Sequence, residues 1–196
     1  MAESIKINRK TKETNITLAL SLYGQGRSQI KTGIGFFDHM LDLLAKHSLF
    51  NLQIRCQGDL RVDLHHTIED VGICIGKAIE QALGSKQGIS RYGWAYIPMD
   101  DALARAVIDL SGRFFLDYQV KIKRGKIGAD FQTELVEEFF RAVAMNAHMN
   151  LHLTLLYGNN LHHCVEALFK AVGRALRLAC EKDNRVRGVL STKGLL

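Results

Sequence analysis

Eight histidines stand out in this chain of 196 residues, and four of them form two adjacent pairs. Each pair opens the same short pattern, His65-His66-x-x-Glu69 and His162-His163-x-x-Glu166. On a helix, residues three and four apart share a face, so each glutamate lies on the side of both of its histidines. Neighbouring histidines diverge by about 100° around the axis, which lets one pair serve two centres. Imidazole mixed with carboxylate suits Zn, Fe or Mn rather than Ca or a thiolate site. A lone pattern of this kind is commonly a hydrogen-bonded surface or core histidine. Two copies at matching helix starts predict two metal half-sites per chain. Neither the H-E-x-x-H of metalloproteases nor a zinc-finger spacing is present.

The elements that must position these residues repeat as well. Residues 64–83 align without gaps on residues 161–180, and residues 13–24 echo residues 101–112. A looser third echo sets Phe36-Phe-Asp-His39 beside Glu137-Glu-Phe-Phe140. The chain therefore reads as two units, 1–89 and 90–196, joined near Ser90 and sharing one compact domain. Each unit predicts an alternating strand (16–22; 104–110), an amphipathic helix (36–47; 133–147), a strand (50–56; 151–157) and a long helix (65–83; 162–182). The fold class expected is α+β, an internal duplication of two similar half-domains with helices packed between or against mixed β-sheets.

Composition narrows the function. With 47% hydrophobic and 23% charged residues the chain is ordinary globular protein rather than disordered. No apolar run approaches the roughly 20 residues of a membrane span, and the N-terminus lacks the apolar core of a secretory signal. A cytoplasmic protein with no membrane partner is expected. Cys56, Cys74, Cys164 and Cys180 have no C-x-x-C spacing and read as buried, reduced thiols. Cys164 is assigned to packing, since Thr67 is its counterpart. The net charge of +6 is scattered, without the basic stripe and interleaved aromatics of a nucleic-acid surface. An anionic small molecule fits it better than nucleic acid. Among the other histidines, His39 precedes a helical run and is placed to complete a metal shell, while His47 suits a helix end. His148 and His152 flank a strand start and read as structural.

Five segments carry a family resemblance: Gly35-Phe-Phe-Asp-His-Met-Leu41, Asp63-Leu-His-His-Thr-Ile-Glu-Asp-Val-Gly72, Asp109-Leu-Ser-Gly-Arg113, His162-His-Cys-Val-Glu-Ala-Leu-Phe-Lys170 and Ser191-Thr-Lys-Gly194. In this order, over most of the chain, it resembles imidazoleglycerol-phosphate dehydratase. The resemblance implies a dehydration in histidine biosynthesis, two Mn ions per active site, and a homo-oligomeric shell of 24 subunits with active sites at subunit contacts. It implies metal ligation by His39, His65, His66, Glu69, Glu138, His162, His163 and Glu166, with Glu138 standing where many members have histidine. Relatives usually carry glycine at position 148, which argues against His148 as a ligand. Glu13 resembles the family's acidic catalytic residue. The substrate-binding set implied is Glu13, His39, His47, Arg91, Arg113, Lys170, Ser191 and Lys193, the last five on the phosphate.

The reaction so implied takes D-erythro-imidazole glycerol phosphate to imidazole acetol phosphate. The proton removed sits on a carbon without an adjacent carbonyl, so the ring, as a metal-bound imidazolate, is the expected electron sink. The Gly-containing tail around Lys193 is expected to close over substrate. Alternatives are a non-catalytic metal-binding protein or a dinuclear metal hydrolase. Each half offers one carboxylate and two histidines at its repeated motif, too few for two octahedral shells, so another half or another chain is expected to contribute.

Overall fold

Ile16, Leu18 and Leu20 are buried while Asn15 and Thr17, which alternate with them, face water, and Ala104, Ala106 and Ile108 repeat that alternation in the second half. Such period-two burial makes half-covered strands. The computed structural model describes residues 4–196. Its first half runs β1 (Ile5–Lys10), β2 (Thr14–Ser21), β3 (Ser28–Lys31), α1 (Gly35–Ser48), β4 (Asn51–Gly58) and α2 (His65–Leu83). The second half runs β5 (Tyr92–Met99), β6 (Ala102–Asp109), β7 (Phe115–Gln119), β8 (Lys126–Ile127), β9 (Phe131–Gln132), α3 (Leu135–Asn146), β10 (Asn150–Tyr157) and α4 (Leu161–Cys180).

The sheets are ordered β1-β2-β4-β3 and β5-β6-β10-β7. In each, three strands are antiparallel and the edge strands β3 and β7 run parallel to their neighbours. Pairing of Ser21 with Asn51 in the first sheet matches pairing of Asp109 with Asn150 in the second. The short β8–β9 hairpin, between β7 and α3, has no counterpart in the first half. No helix among the described residues is long and apolar enough to cross a membrane.

The helices exchange partners between halves: α1 packs on α4, and α2 on α3. Two glycines set these crossings. A Cβ on Gly173 would lie 2.9 Å from Leu44 O, 3.2 Å from His47 Cβ and 3.3 Å from Ser48 N. A Cβ on Gly76 would lie 2.6 Å from Val143 O, 2.7 Å from Asn146 Cβ and 3.0 Å from Ala147 N. The match is atom for atom. It sets His39 of α1 equivalent to Glu138 of α3, which corrects the third sequence echo by two residues. Beyond both helices the chain turns through left-handed residues, Leu49 (φ 60°) and His148 (φ 47°). The second is a position where glycine costs least.

One continuous apolar core draws on both halves. All four cysteines are buried and free, as expected. Burial pushes the thiols of Cys56 and Cys180 up to about 12. Cys164 packs its sulfur against Gly158, just as Thr67 packs against Gly58. Helix α3 begins at Leu135 rather than at residue 133, because β9 holds the chain extended as far as Gln132.

Candidate metal centre

Helix α4 starts where Asn160 accepts hydrogen bonds at its side-chain oxygen from the backbone N–H of His162 and His163, satisfying the free donors of the first turn. The following turn brings His162 Nε2 to 3.1 Å from Glu166 Oε2. From α1, His39 Nε2 lies 3.6 Å from the same oxygen. One ligand atom from each of His39, His162 and Glu166 falls within a mutual 4.8 Å. Phe36 presses its ring edge on His162 with centroids 5.2 Å apart, and Phe36 in turn rests 4.8 Å from Phe131 of the hairpin. Glu166 is only 7% exposed. Burial opposes its charge, yet hydrogen bonds from Lys170 and His162 and the positive field of Lys170 outweigh it, holding the carboxyl below its ordinary range. Lys170 takes Oε1, so Oε2 faces the two imidazoles. Two imidazoles and a pre-ionised carboxylate are a fitting donor set for a divalent first-row ion.

The first half repeats the construction in the open. His65 Nε2 lies 3.9 Å from Glu69 Oε2, with both side chains more than 40% exposed. Glu69 lies seven residues before Gly76 and Glu138 five before Val143, the same offsets that join Glu166 and His39 to Gly173 and Leu44. The helix register thus places Glu138 in the part His39 plays. Glu138 makes no ion pair or side-chain hydrogen bond among the described residues.

The second histidine of each pair points elsewhere. His66 Nδ1 is 3.0 Å from Asp59 and its Nε2 3.8 Å from Glu13. His163 Nδ1 is 2.7 Å from Asp101 and its Nε2 3.6 Å from Asp100. The hydrogen bond to Asp59 raises the His66 pKa. Backbone N–H groups of Asn160 and Asn159, together with His163, hold the Asp101 carboxyl far below the usual carboxylate range. Asp59 and Asp101 were not singled out in the sequence. The echo of Glu13 in Asp101 was the one available signal.

Four of the expected phosphate residues come together. Arg91, Arg113, Ser191 and Lys193, joined by Arg185 and Arg187, line a cleft of about 850 Å³ under the C-terminal tail. Arg91 donates from Nε and Nη2 to Asp109 at 2.7 and 3.0 Å and from Nη1 to Leu190 O at 2.6 Å. Its left-handed backbone, φ 66°, is a costly conformation for a residue with a side chain, and these three bonds hold it. Arg185 and Arg187 escaped the sequence reading because nothing local marks them. Lys170 is not in this cleft but at Glu166. His47 sits where α1 meets Gly173, and burial with the nearby Lys170 lowers its pKa. His152 faces Asp117 across neighbouring strands.

Comparison with known proteins gives one answer. The family model of imidazoleglycerol-phosphate dehydratase matches residues 32–176. Relatives of that name from Acetivibrio thermocellus and Clostridium botulinum are 56% and 54% identical, each over the full length of both chains. The crystal structure of the Staphylococcus aureus enzyme superposes with a TM-score of 0.83 at 43% identity, covering 92% of this chain and 99% of its own. That from Pyrococcus furiosus gives 0.82 at 35% identity, covering 97% and 100%. The histidine–carboxylate motifs, the duplicated α+β fold and these full-length likenesses agree, and the chain belongs to the imidazoleglycerol-phosphate dehydratases, hydro-lyases of histidine biosynthesis.

Proposed function

We propose that this chain converts D-erythro-imidazole glycerol phosphate to imidazole acetol phosphate with two manganese ions per active site. The observation that carries the reading is the cluster of His39, His162 and Glu166, with Glu138, His65 and Glu69 at the equivalent positions of the repeat and His66 and His163 next in sequence to His65 and His162. These eight residues would hold the ions. Bound manganese would acidify the imidazole ring of the substrate and let it accept electron density as water departs.

The chain's own groups do the rest. Glu13, half exposed and 3.8 Å from His66, takes the proton from the substrate carbon that becomes the ketone, and a proton is delivered to the neighbouring carbon that has lost its hydroxyl. Arg91 and Arg113 hold the phosphate through charge-assisted hydrogen bonds, with Ser191 and Lys193 closing from the tail. Lys170 keeps Glu166 ionised, and His39 and His47 form the wall of α1 on the substrate side.

Assembly into a 24-subunit cytoplasmic homo-oligomer with active sites at subunit contacts belongs to the same proposal. Three ligands per cluster fall short of an octahedral shell. The basic cleft shares no lining residue with either cluster. The outer face of the second sheet exposes Tyr92, Trp94, Tyr96 and Phe115, each 45% or more, aromatic side chains that a subunit contact would cover.

Turnover of the substrate by chelator-stripped protein, before and after adding Mn, is the test. Ketone appearing only after Mn is the expected result. Bound Mn without ketone would overturn the catalytic reading.

A further inference from the structure

Outside the ligand set, one carboxylate in each half stands behind the second histidine of its pair, at places that the duplication does not relate. Asp59 lies in the loop between β4 and α2, and Asp101 in the turn between β5 and β6. Each meets the Nδ1 atom of the second histidine of its half, at 3.0 and 2.7 Å. An ionised carboxylate is acceptor only, so the imidazole nitrogen facing it must carry the proton. In the neutral ring the other nitrogen, Nε2, keeps its lone pair, and it faces Glu13 at 3.8 Å in one half and Asp100 at 3.6 Å in the other. We infer that Asp59 and Asp101 are positioning residues, which fix the Nδ1–H tautomer and the ring orientation of His66 and His163 so that each presents Nε2 to an ion. The inference rests on the proposed reading of those two histidines as metal ligands.

The duplication sharpens the point, because the two halves reach one geometry by different routes. Strand register makes Glu13 the equivalent of Asp101, since Thr14 opens β2 and Ala102 opens β6. In the second half this position supplies the carboxylate behind the histidine. Asp101 Oδ2 also accepts from the backbone N–H of Asn159 and Asn160, each at 2.9 Å, while Oδ1 faces His163. In the first half the task passes to Asp59, whose backbone N–H donates to Glu13 O. The Glu13 side chain is thereby released toward the other side of His66. One position is a support in one half and a free acid in the other.

The test is Asp101→Asn and Asp59→Asn in the full chain, read in two ways. In Asp101→Asn the amide oxygen can keep both backbone donors, which turns the NH₂ group toward His163 and forces Nδ1 to accept. Nitrogen-15 NMR of the metal-free protein should then show His163 switching from the Nδ1–H to the Nε2–H tautomer, a change that a purely structural aspartate would not produce. In Asp59→Asn no backbone donor fixes the amide among the described residues, so it can turn either face to His66 and the expected reading there is a mixture of the two tautomers. Titration with Mn²⁺ alone should show affinity lower by about 10- to 100-fold in each variant. An unchanged tautomer, or an unchanged Mn²⁺ affinity, in both variants overturns the inference. His163→Gln and His66→Gln separate the two layers. If they leave Mn²⁺ affinity intact, the ligand reading itself has failed. If they lower it while the aspartate variants do not, only the positioning role has.

Discussion

Glu166 is buried beside Lys170 and two imidazoles, whereas its counterpart Glu69 is 46% exposed, with His65 alone within ion-pair distance among the described residues. Ile73 stands where the second half has Lys170, and Glu138 where the first half has His39. One cluster is therefore pre-paired with its own cation, while the equivalent positions of the other half carry two carboxylates and one histidine without one. The backbone frames agree to the level of individual contacts, yet the local fields differ. Duplication preserved the geometry that aims the ligands and left their electrostatics free to diverge.

The sharpest break in that comparison comes from Glu13 against Asp101. Glu13→Gln should keep Mn and assembly but lose turnover by a factor on the order of 10² or more, measured as the appearance of ketone at saturating substrate. Near-normal turnover would return Glu13 to a surface residue. Next in size are the two helix crossings. Gly76→Ala and Gly173→Ala each force a methyl group into backbone contact, for which overpacking costs about 1–3 kcal/mol. Contacts at Gly76 are shorter by 0.3 to 0.5 Å, so its variant should melt lower, by about 2–4 °C for each kcal/mol of difference. Equal melting temperatures would show that one crossing relaxes more easily than the other. The smallest effect lies at Thr67 and Cys164. The Thr67 hydroxyl is already buried with no hydrogen-bond partner, so Thr67→Cys should be neutral or slightly stabilising. Cys164→Thr buries a new hydroxyl and should cost about 1–2 kcal/mol in denaturant unfolding.

Where a pattern was carried by side chains facing one core, it was legible. The bounds of α2 were read to the residue, and the two His-His-x-x-Glu motifs lie at the helix starts assigned to them. Strand β5 escaped because its polarity is inverted: inward-facing Gly93 and Ala95 are small, and Trp94 and Tyr96 point out. A Cβ on Gly93 would fall 1.9 Å from Ala175 O, so α4 lies too close for any side chain there. The edge strands β3 and β7 are short and parallel, with no turn to announce them. The register between α1 and α3 was missed because helical periodicity repeats every three or four residues, and only the glycine contacts choose among the near-equivalent alignments. Asp59 and Asp101 lie seven and sixty-two residues from the histidines they face, and no spacing rule spans a contact made by the folded sheet.

The exchange of helices between halves has a consequence for how such a molecule came about. The His39, His162 and Glu166 cluster draws on both halves, and α2 of the first half likewise packs on α3 of the second. A single unit of this kind would have needed to meet a second copy of itself before it could hold an ion, and that meeting would have depended on concentration. Joining two copies in one chain makes that encounter intramolecular, at an effective concentration set by the connection rather than by the cell. From then on the two copies no longer had to be identical. Asp101 could become a prop while Glu13 remained an acid, and a symmetric pair could turn into an asymmetric tool.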